Sequence, residues 1–507
     1  MDHAELFRRI MFARDRVYRL YAPTPIEPVL LPSGRQAWLK REDLSPINSY
    51  KWRGAFNKMS IVLGESPGRA VVAASAGNHA QGVAAAAAKL GCRATIFMPR
   101  STPEVKIRSV RRLGGDAIRI ELVGDTFDDA SAAAREFMER EGAAMIAPFD
   151  DPEVIAGQGT IGDEIVTSAI RPDIVFLEIG GGGMAAGVAC VLRTYFGDAV
   201  RLVGVEGEGQ ASMTAAMDAG EPITLDRLDR FCDGTAVRRT GSVTFPLCRS
   251  MLDEIVLVSN AEVSTAIRML WESARIIPEP SGALGMAAML RFERDGHLAG
   301  AITPLTIVSG SNIDFAMLSL IARRAAIGAT AHRYYEFTLA ERAGELVTLL
   351  ESLPPLQIVE FQYGKTNASE AHAVIGFEGS DDELTELARA VESLGQDARP
   401  VTGKDRVEYR VIPLEPQLFS IPVYLSIDFP ERAGAMLEFM HRVRDIANIC
   451  YFNYQYTGEA EGHSLLAFEF ASEADRTEFL HRIEHMPMKC RELSASDLGM
   501  DRVEPVH

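Results

Sequence analysis

The chain has 507 residues, with 52 Lys and Arg against 70 Asp and Glu, which gives a formal net charge of −18. This length predicts about three domains and excludes a mini-protein that needs disulfides or a metal for stability. The negative charge argues against a nucleic-acid partner, because phosphate backbones are themselves anionic.

Six cysteines are scattered along the chain without a Cys-x-x-Cys pair. Disulfide frameworks and cysteine zinc sites need closer spacing, so the pattern predicts reduced, buried thiols and no metal site. The first 16 residues carry four arginines, no apolar segment of the signal-peptide type follows, and no uncharged run of about 18 residues occurs. We therefore expect a soluble, cytoplasmic protein with no membrane partner.

Short apolar runs alternate with alanine-rich stretches over the first 328 residues. The runs predict strands at 69–74, 93–98, 173–179, 202–205 and 305–308, and the alanine-rich stretches predict helices at 81–90 and from 184 onward. Such alternation is typical of a parallel sheet that helices cover on both faces. The sequence thus predicts an α/β domain over residues 1–328, with two subdomains around one cleft.

The first chemical motif is Lys51, which stands between a serine-capped turn and the start of a helix, in the segment 49–55. A lysine amine in a buried setting has a lowered pKa and can form a Schiff base with a carbonyl group. The alternative interpretation is an ordinary surface lysine.

The second motif follows the strand at 69–74 and consists of Ser75, Ala76, Gly77, Asn78 and His79. Backbone N–H groups at such a helix start can hold a carboxylate, and an asparagine amide can donate or accept toward a ring substituent. The alternative is a plain Ser/Asn helix cap.

The third motif is a run of glycines, Gly180, Gly181, Gly182 and Gly183, between a buried strand and the helix from Met184. Converging N–H groups and the positive end of a helix dipole make this a phosphate cradle. Neither a Walker Gly-Lys-Ser/Thr nor the dinucleotide spacing G-x-G-x-x-G is present, so a small phosphorylated ligand fits better than a nucleotide. The alternative is a flexible turn.

The tail contains an internal repeat. Glu-Arg-Ala-Gly at 341–344 recurs 90 residues later, and the segments 361–363 and 376–378 recur 91 residues later. Each copy predicts strand, glycine turn, helix, strand, strand, helix. We expect a linker at 328–333 and then two α+β units, at 333–415 and 416–500.

Together these motifs resemble those of the biosynthetic threonine dehydratases (threonine ammonia-lyases), in the tryptophan-synthase-β-like pyridoxal phosphate family. The matching segments are 40–43, 49–55, 75–82, 180–183, 279–283 and 309–312. The tail repeat resembles the paired ACT-like regulatory units of that family. The resemblance implies a fold-type II catalytic domain of two subdomains, followed by two α+β ACT-like units.

By this resemblance the cofactor is pyridoxal 5'-phosphate, which Lys51 would hold as a Schiff base before acting as the general base. Asn78 would hydrogen-bond the ring hydroxyl, and the glycines 180–183 with Met184 would bind the phosphate. Residues 75–79 would bind the substrate carboxylate.

Two further residues follow from the resemblance. Ser309 would face the pyridine nitrogen. An uncharged serine leaves the ring a weaker electron sink, which suits prompt β-elimination. Glu279 is expected near the ring, and the alternative for it is a loop carboxylate before a proline.

The implied reaction is loss of water from a β-hydroxy amino acid, with L-threonine giving 2-oxobutanoate and ammonia. Relatives that racemise serine carry a second serine where this chain has Ala76, and a methyl group cannot move a proton. Glu178 and Trp52 replace a usual proline and a smaller aliphatic residue. Either could reshape the site, so a dehydratase for another β-hydroxy amino acid, such as phenylserine, is the second hypothesis.

A third hypothesis is an amino-acid-sensing protein whose catalytic part is an inactive scaffold, which the intact motifs argue against. In the resembled enzymes isoleucine inhibits through the tail units and valine opposes it. The candidate effector residues are Arg342 and Gly344, with Arg432 and Gly434 in the second copy, since a glycine turn before a helix offers backbone groups. The alternative is that the tail serves only oligomerisation, and the resemblance implies a homotetramer.

Overall fold

The computed structural model describes residues 1–100, 102–124, 126–300, 302–328, 332–365, 369–395, 398–402, 421–430, 435–455, 461–484, 486 and 489–493. The chain divides into two units, Met1–Ala325 and Ala326–His507. The predicted α/β elements lie in the first unit, and the internal repeat lies in the second.

The first unit is built from short strands, most of them buried, and from helices that alternate with them. Its strands are β1 (Ile26–Leu30), β2 (Gln36–Arg41), β3 (Val71–Ala74), β4 (Ala94–Met98), β5 (Ile118–Leu122), β6 (Ala144–Met145), β7 (Ile174–Glu178), β8 (Arg201–Gly207), β9 (Glu254–Val258) and β10 (Pro304–Val308). Its helices are α1 (His3–Val17), α2 (Trp52–Glu65), α3 (Asn78–Leu90), α4 (Glu104–Gly114), α5 (Phe127–Glu141), α6 (Pro152–Thr167), α7 (Gly183–Phe196), α8 (Ser212–Ala219), α9 (Thr244–Met251), α10 (Asn260–Ala274), α11 (Leu284–Arg294) and α12 (Phe315–Gly328).

Two sheets form the two predicted subdomains. The larger has the order β1-β2-β10-β7-β8-β9, and the smaller has the order β5-β4-β3-β6. All pairs are parallel except β1 with β2. Successive residues of β7 pack alternately into two separate cores, Val175 with Leu177 in one and Ile174 with Phe176 in the other. The larger sheet is therefore covered on both faces, and the predicted parallel α/β arrangement is confirmed.

The second unit repeats one α+β motif. The first copy comprises β11 (His332–Ala340), α13 (Glu345–Ser352), β12 (Gln357–Lys365), β13 (Glu370–Glu378), α14 (Asp381–Ser393) and β14 (Ala398–Pro400). The second copy comprises β15 (Val423–Pro430), α15 (Ala435–Val443), β16 (Asn448–Gln455), β17 (Glu461–Glu469), α16 (Glu473–Glu484) and β18 (Lys489–Leu493). Each copy thus has the predicted elements and one further short strand at its end.

One antiparallel sheet joins the two copies, in the order β14-β11-β13-β12-β16-β17-β15-β18. The copies meet where β12 pairs with β16, and Gln362 lies opposite Asn453. These two residues are equivalent under the 91-residue repeat. An antiparallel pair of equivalent strands with equivalent residues opposed creates a local twofold axis at this point.

The predicted linker differs from the observed chain at both ends. Gly328 is the last residue of α12, and His332 is the first residue of β11. The predicted boundary between 415 and 416 lies outside the described residues. All six cysteines are free thiols. No helix in the described ranges combines the length and apolar character that crossing a bilayer requires.

Candidate active site

The sequence motifs follow the carboxyl ends of strands in both parallel sheets. Ser75 follows β3, Gly180 follows β7 with one residue between, and Ser309 follows β10 directly. The carboxyl ends of parallel strands are where α/β sheets bind ligands. The chain thus carries its polar and glycine-rich segments at the edge where this architecture places a site.

Lys51 caps the start of α2 and is half-buried. Its Nζ donates to the Tyr50 hydroxyl at 2.7 Å, and the Tyr50 N–H donates to the Ser309 carbonyl at 3.2 Å. These contacts hold the segment at Tyr50 and Lys51 against the end of β10. Ser309 itself is 4% exposed, and its role at the ring nitrogen stays a prediction.

A cluster of buried charges includes Arg53, two residues after Lys51. Lys40 Nζ contacts Glu42 at 3.1 Å and Glu164 at 2.6 Å, and Arg53 contacts the same two carboxylates. Burial raises the pKa of Glu42, but the Arg53 and Lys40 charges outweigh it and bring that pKa to about 2. The cluster links β2, α2 and α6, so Lys40 has a structural role.

The second motif forms the turn into α3. Gly77 caps the helix, its N–H donates to Ser75 Oγ at 3.2 Å, and the first intrahelical bond is made by Gln81 to the Gly77 carbonyl. The N–H groups of residues 78–80 therefore have no acceptor within the helix. This turn can offer backbone donors to an anion.

His79 contributes only its backbone to that turn. Its Nε2 lies 2.8 Å from the Ile146 carbonyl, and its ring is 1% exposed. Burial lowers the pKa of His79 to about 4. The prediction that His79 binds a carboxylate can hold for its N–H group and not for its imidazole.

Asn78 and Glu279 meet at the centre of the site. The Asn78 Nδ2 donates to Glu279 Oε1 at 2.7 Å, and both side chains are buried. Burial raises the pKa of Glu279 to about 8 and the Asp233 charge adds to this, while Lys51 and the Asn78 bond oppose it. Glu279 thus lies beside Asn78, in the loop before Pro280, and its place at the cofactor ring stays a prediction.

The glycine loop needs glycine because its neighbours lie too close for a side chain. A Cβ at Gly181 would lie 2.2 Å from the Phe149 ring, one at Gly180 would lie 2.9 Å from Thr235, and Gly182 has φ +88°. Helix α7 starts at Gly183, and Ala186 makes its first intrahelical bond, to the Gly182 carbonyl.

The N–H groups of residues 183–185 therefore have no acceptor within α7. The side chain of Met184 packs into the core of the larger sheet, so it can bind a phosphate only through its N–H group.

These groups fit pyridoxal phosphate. Bare N–H groups at the start of a 14-residue helix suit its phosphate, and the Lys51 amine suits its aldehyde. The Asn78 amide and the Ser309 hydroxyl are neutral polar groups of the kind that bind a ring hydroxyl and a ring nitrogen. Within the described ranges, no group of three or more His, Cys, Asp or Glu side chains is arranged to hold a metal ion.

Sequence analysis missed several residues of the site. The Phe149 ring packs against Gly181 of the glycine loop. Thr244 Oγ1 donates to the Gly181 carbonyl at 2.6 Å, and Asn312 donates to Asn78 Oδ1 at 2.8 Å. Asn312 belongs to the matched segment 309–312, so its position carried a signal. Phe149 and Thr244 belong to no motif and could be found only in three dimensions.

The two departures from the family pattern are both buried side chains. Trp52 is 1% exposed, packs in the core of the smaller sheet, and stacks edge-on with Tyr21 at 5.0 Å. Glu178 is 3% exposed and near Gly285, and neither of its oxygens has a hydrogen-bond partner among the described residues. Burial raises its pKa well above the usual range. The hypothesis that Trp52 reshapes the substrate site is therefore not supported.

Two cavities in the second unit are related by the repeat. A cavity of about 330 Å³ is lined by residues that include Leu350, Leu437 and Tyr454, and a cavity of about 20 Å³ is lined by their equivalents Met440, Val347 and Tyr363.

The predicted effector residues Arg342 and Gly344 line the small cavity, and Gly344 adopts φ +93°. There the Glu341 carboxylate accepts from Tyr363 at 3.2 Å and from Asn448 at 2.8 Å. Arg432 and Gly434 lie outside the described residues.

Comparisons with known proteins agree with this site. Residues 17–310 match the family described as pyridoxal-phosphate dependent enzyme. Residues 323–411 and 421–501 match the C-terminal regulatory domain of threonine dehydratase.

The biosynthetic L-threonine dehydratase of Haemophilus influenzae is 36% identical over 94% of this chain and 93% of its own length. That of Escherichia coli is 34% identical over 97% of this chain and 95% of its own length.

A solved structure extends the likeness to three dimensions. The processed form of threonine deaminase isoform 2 from Solanum lycopersicum aligns with a TM-score of 0.60 and 40% identity, over 64% of this chain and 94% of that one. The chain belongs to the threonine dehydratase family of pyridoxal-phosphate-dependent enzymes that carry a C-terminal regulatory domain.

Proposed function

We propose that the protein converts L-threonine to 2-oxobutanoate and ammonia, by loss of water across Cα and Cβ followed by hydrolysis. The observation that carries the proposal is the convergence of Lys51, Asn78 and the glycine loop at the carboxyl edge of the parallel sheets. The relatives that span nearly the whole chain bear the name of that activity, which supports threonine as the substrate.

When bound, pyridoxal phosphate supplies an electron sink for the charge that develops at Cα. The amine of Lys51 would hold the cofactor through its aldehyde, and Lys51 Nζ would be the base that takes the Cα proton of the substrate. The Tyr50 hydroxyl orients that nitrogen through the contact at 2.7 Å.

The remaining groups bind and orient. The N–H groups at the start of α7, including those of Gly183 and Met184, hold the phosphate. The turn at residues 75–79 holds the substrate carboxylate. The neutral Ser309 hydroxyl would face the ring nitrogen and would leave it without a full positive charge. Ala76 has no proton to give to the opposite face of Cα, and this argues against racemisation, the activity of the maize serine racemase that aligns with 28% identity.

Regulation belongs to the same proposal. An amino-acid effector with a branched apolar side chain fits the cavity of about 330 Å³, whose lining is mainly aliphatic and aromatic. The related cavity of about 20 Å³ has room for about one water molecule. We infer that the larger cavity is the effector site and that isoleucine is its ligand. A homotetramer in the cytoplasm completes the proposal; the free thiols of all six cysteines support a reducing location.

One assay separates the hypotheses. Keto-acid release is measured with threonine, serine and phenylserine as substrates, for the native chain and for Lys51→Ala. Threonine is expected to react fastest, and Lys51→Ala is expected to lose both turnover and the visible absorption of the lysine-bound cofactor. Lys89→Ala changes an exposed lysine at the end of α3 and serves as the control, with both signals kept.

The other outcomes are equally clear. Preference for phenylserine would favour the second hypothesis, and no product from any substrate would favour an amino-acid sensor. Retention of turnover and of visible absorption in Lys51→Ala would remove Lys51 from the mechanism.

A further inference from the structure

Asn312 forces the orientation of the Asn78 amide. Its Nδ2 donates at 2.8 Å to the carbonyl of Ile47 and at 2.8 Å to Oδ1 of Asn78. A backbone carbonyl can only accept, so the end of Asn312 that faces Ile47 must be its NH₂ group. The second hydrogen of that group points at Asn78, which must therefore present its oxygen to Asn312.

The other end of the Asn78 side chain is then its NH₂ group, in agreement with the bond that it donates to Glu279 at 2.7 Å. An amide nitrogen carries two hydrogens, and the Glu279 carboxylate takes one of them. Each of the three bonds has a definite direction: Asn312 donates to the Ile47 carbonyl and to Asn78, and Asn78 donates to Glu279.

We propose that Asn312 is a positioning residue that fixes the Asn78 carboxamide so that its second N–H is directed at the ring hydroxyl oxygen of the bound cofactor. This inference rests on the proposed function, since it assigns a task to Asn78 in a pyridoxal phosphate site. Without Asn312 only the Glu279 contact restrains the Asn78 amide, and a half-revolution about its last side-chain bond would present its carbonyl instead.

The backbone of the segment 309–312 is held in place without the Asn312 side chain. Backbone bonds join the same segments: Tyr50 N–H to the Ser309 carbonyl at 3.2 Å, Ser311 N–H to the Asn48 carbonyl at 2.9 Å, and Glu279 N–H to the Gly310 carbonyl at 2.9 Å. A substitution at Asn312 leaves these bonds in place. What it removes is the control of the Asn78 amide.

A donor and an acceptor at the ring oxygen have opposite spectroscopic effects. A donor stabilises the ionised oxygen, which belongs to the form that absorbs in the visible, whereas a carbonyl favours the protonated oxygen, which belongs to a form that absorbs in the near ultraviolet. The ratio of the two bands therefore reports which end of Asn78 faces the ring.

The test compares the holoenzyme with Asn312→Asp. A carboxylate cannot donate, so it attracts the Asn78 NH₂ group and turns the Asn78 carbonyl away from itself. We expect the visible-to-near-ultraviolet absorbance ratio to fall severalfold and the cofactor to bind about tenfold more weakly, as for loss of a hydrogen bond to a charged group. Asn312→Ala, which leaves the Asn78 amide held by Glu279 alone, is expected to shift the ratio in the same direction by less.

Asn453→Asp makes the same change on β16, in the second unit, and is expected to keep the wild-type spectrum. If Asn312→Asp folds poorly, as its thermal unfolding midpoint would reveal, the band ratio of Asn312→Ala decides between the outcomes. An unchanged band ratio in the folded variant overturns the positioning role, even if total cofactor content falls. A native chain that binds no pyridoxal phosphate overturns the proposed function instead, so the two failures are distinguishable.

Discussion

Arg53 and Glu42 form an ion pair at 2.8 Å in which neither side chain has any exposed surface. Arg53 lies two residues after Lys51 and also contacts Glu164 at 2.5 Å, while Lys40 contacts both carboxylates. Two cations and two anions make the cluster electrically neutral. Neutrality is what makes it tolerable, because an uncompensated charge in a protein interior is costly.

Replacing Arg53 by methionine should destabilise the first unit by about 3 to 5 kcal/mol, since it leaves a net buried negative charge. Adding Glu164→Gln restores neutrality around Lys40 and Glu42, so the double variant should be more stable than the sum of the single effects by about 1 to 3 kcal/mol. Denaturant unfolding followed by tryptophan fluorescence measures this, because all three tryptophans lie in the first unit.

The exposed pair of Arg111 with Glu104 provides the control for this experiment, and Arg111→Met should cost less than about 1 kcal/mol. Equal losses for Arg53→Met and Arg111→Met would show that the buried cluster carries no special stability. Additive effects of Arg53→Met and Glu164→Gln would contradict the charge-balance argument.

Gly181→Ala should weaken cofactor binding by about tenfold or more, because the added Cβ would lie 2.2 Å from Cγ of Phe149 and push the loop or the ring aside. Titration of the cofactor-free chain with pyridoxal phosphate measures the effect. Phe149→Ala in the same chain makes room for the methyl group and should restore part of the affinity.

Gly64 is a suitable control glycine, since it lies in α2 and a Cβ there has no neighbour within 4 Å. Gly64→Ala should leave cofactor affinity unchanged and raise the unfolding midpoint slightly, because alanine is the better helix former. Unchanged affinity in Gly181→Ala would mean that the loop tolerates a side chain and is not a close-fitting cradle.

Local sequence patterns predicted much of the site and left out its long-range contacts. The strands, the glycine loop and the turn at 75–79 are readable because each depends on residues close together in the chain. The contact of Asn78 with Glu279 joins residues 201 positions apart, and that of Arg53 with Glu164 joins residues 111 positions apart. Such pairings depend on how the elements pack, and a local sequence pattern does not predict them.

The direction of a side chain is equally hard to read from sequence. Trp52 adjoins Lys51, and the sequence suggests an effect on the substrate site, yet α2 turns its indole into the core of the smaller sheet. His79 likewise points at the Ile146 carbonyl rather than into the cleft. Neighbours in sequence at a helix start diverge by about 100° per residue, so adjacency to a catalytic residue does not place a side chain in the site.

His79 should make the folded chain sensitive to acid. Burial lowers its pKa to about 4 in the folded state, against 6.5 for the ordinary group. Below pH 6.5 the unfolded chain therefore binds a proton that the folded chain does not accept until about pH 4. The contribution of His79 to the free energy of unfolding is fully present above pH 6.5. It is lost as the pH falls from 6.5 to about 4, by about 3 kcal/mol in all.

His79→Gln keeps an N–H donor for the Ile146 carbonyl and does not titrate. The difference in unfolding free energy between wild type and His79→Gln should thus shrink as the pH falls from 7 to 4.5. Comparing the two chains removes the opposing contributions of Glu206 and Glu279, whose pKa values burial raises to about 7 and about 8. A difference that is constant over this range would contradict the assignment of a neutral buried imidazole.

Leu437→Trp should abolish the response to isoleucine and leave basal turnover intact. Leu437 lines the cavity of about 330 Å³ and is only partly buried, so an indole can turn into the cavity and occupy the volume that an amino-acid side chain would take. Leu437→Ala enlarges the same cavity and is the matched control, for which inhibition should weaken without disappearing. Turnover of threonine is measured against isoleucine concentration for all three chains. Inhibition of Leu437→Trp at wild-type isoleucine concentrations would place the effector elsewhere, and loss of basal turnover in Leu437→Ala would mean that the cavity supports the fold rather than a ligand.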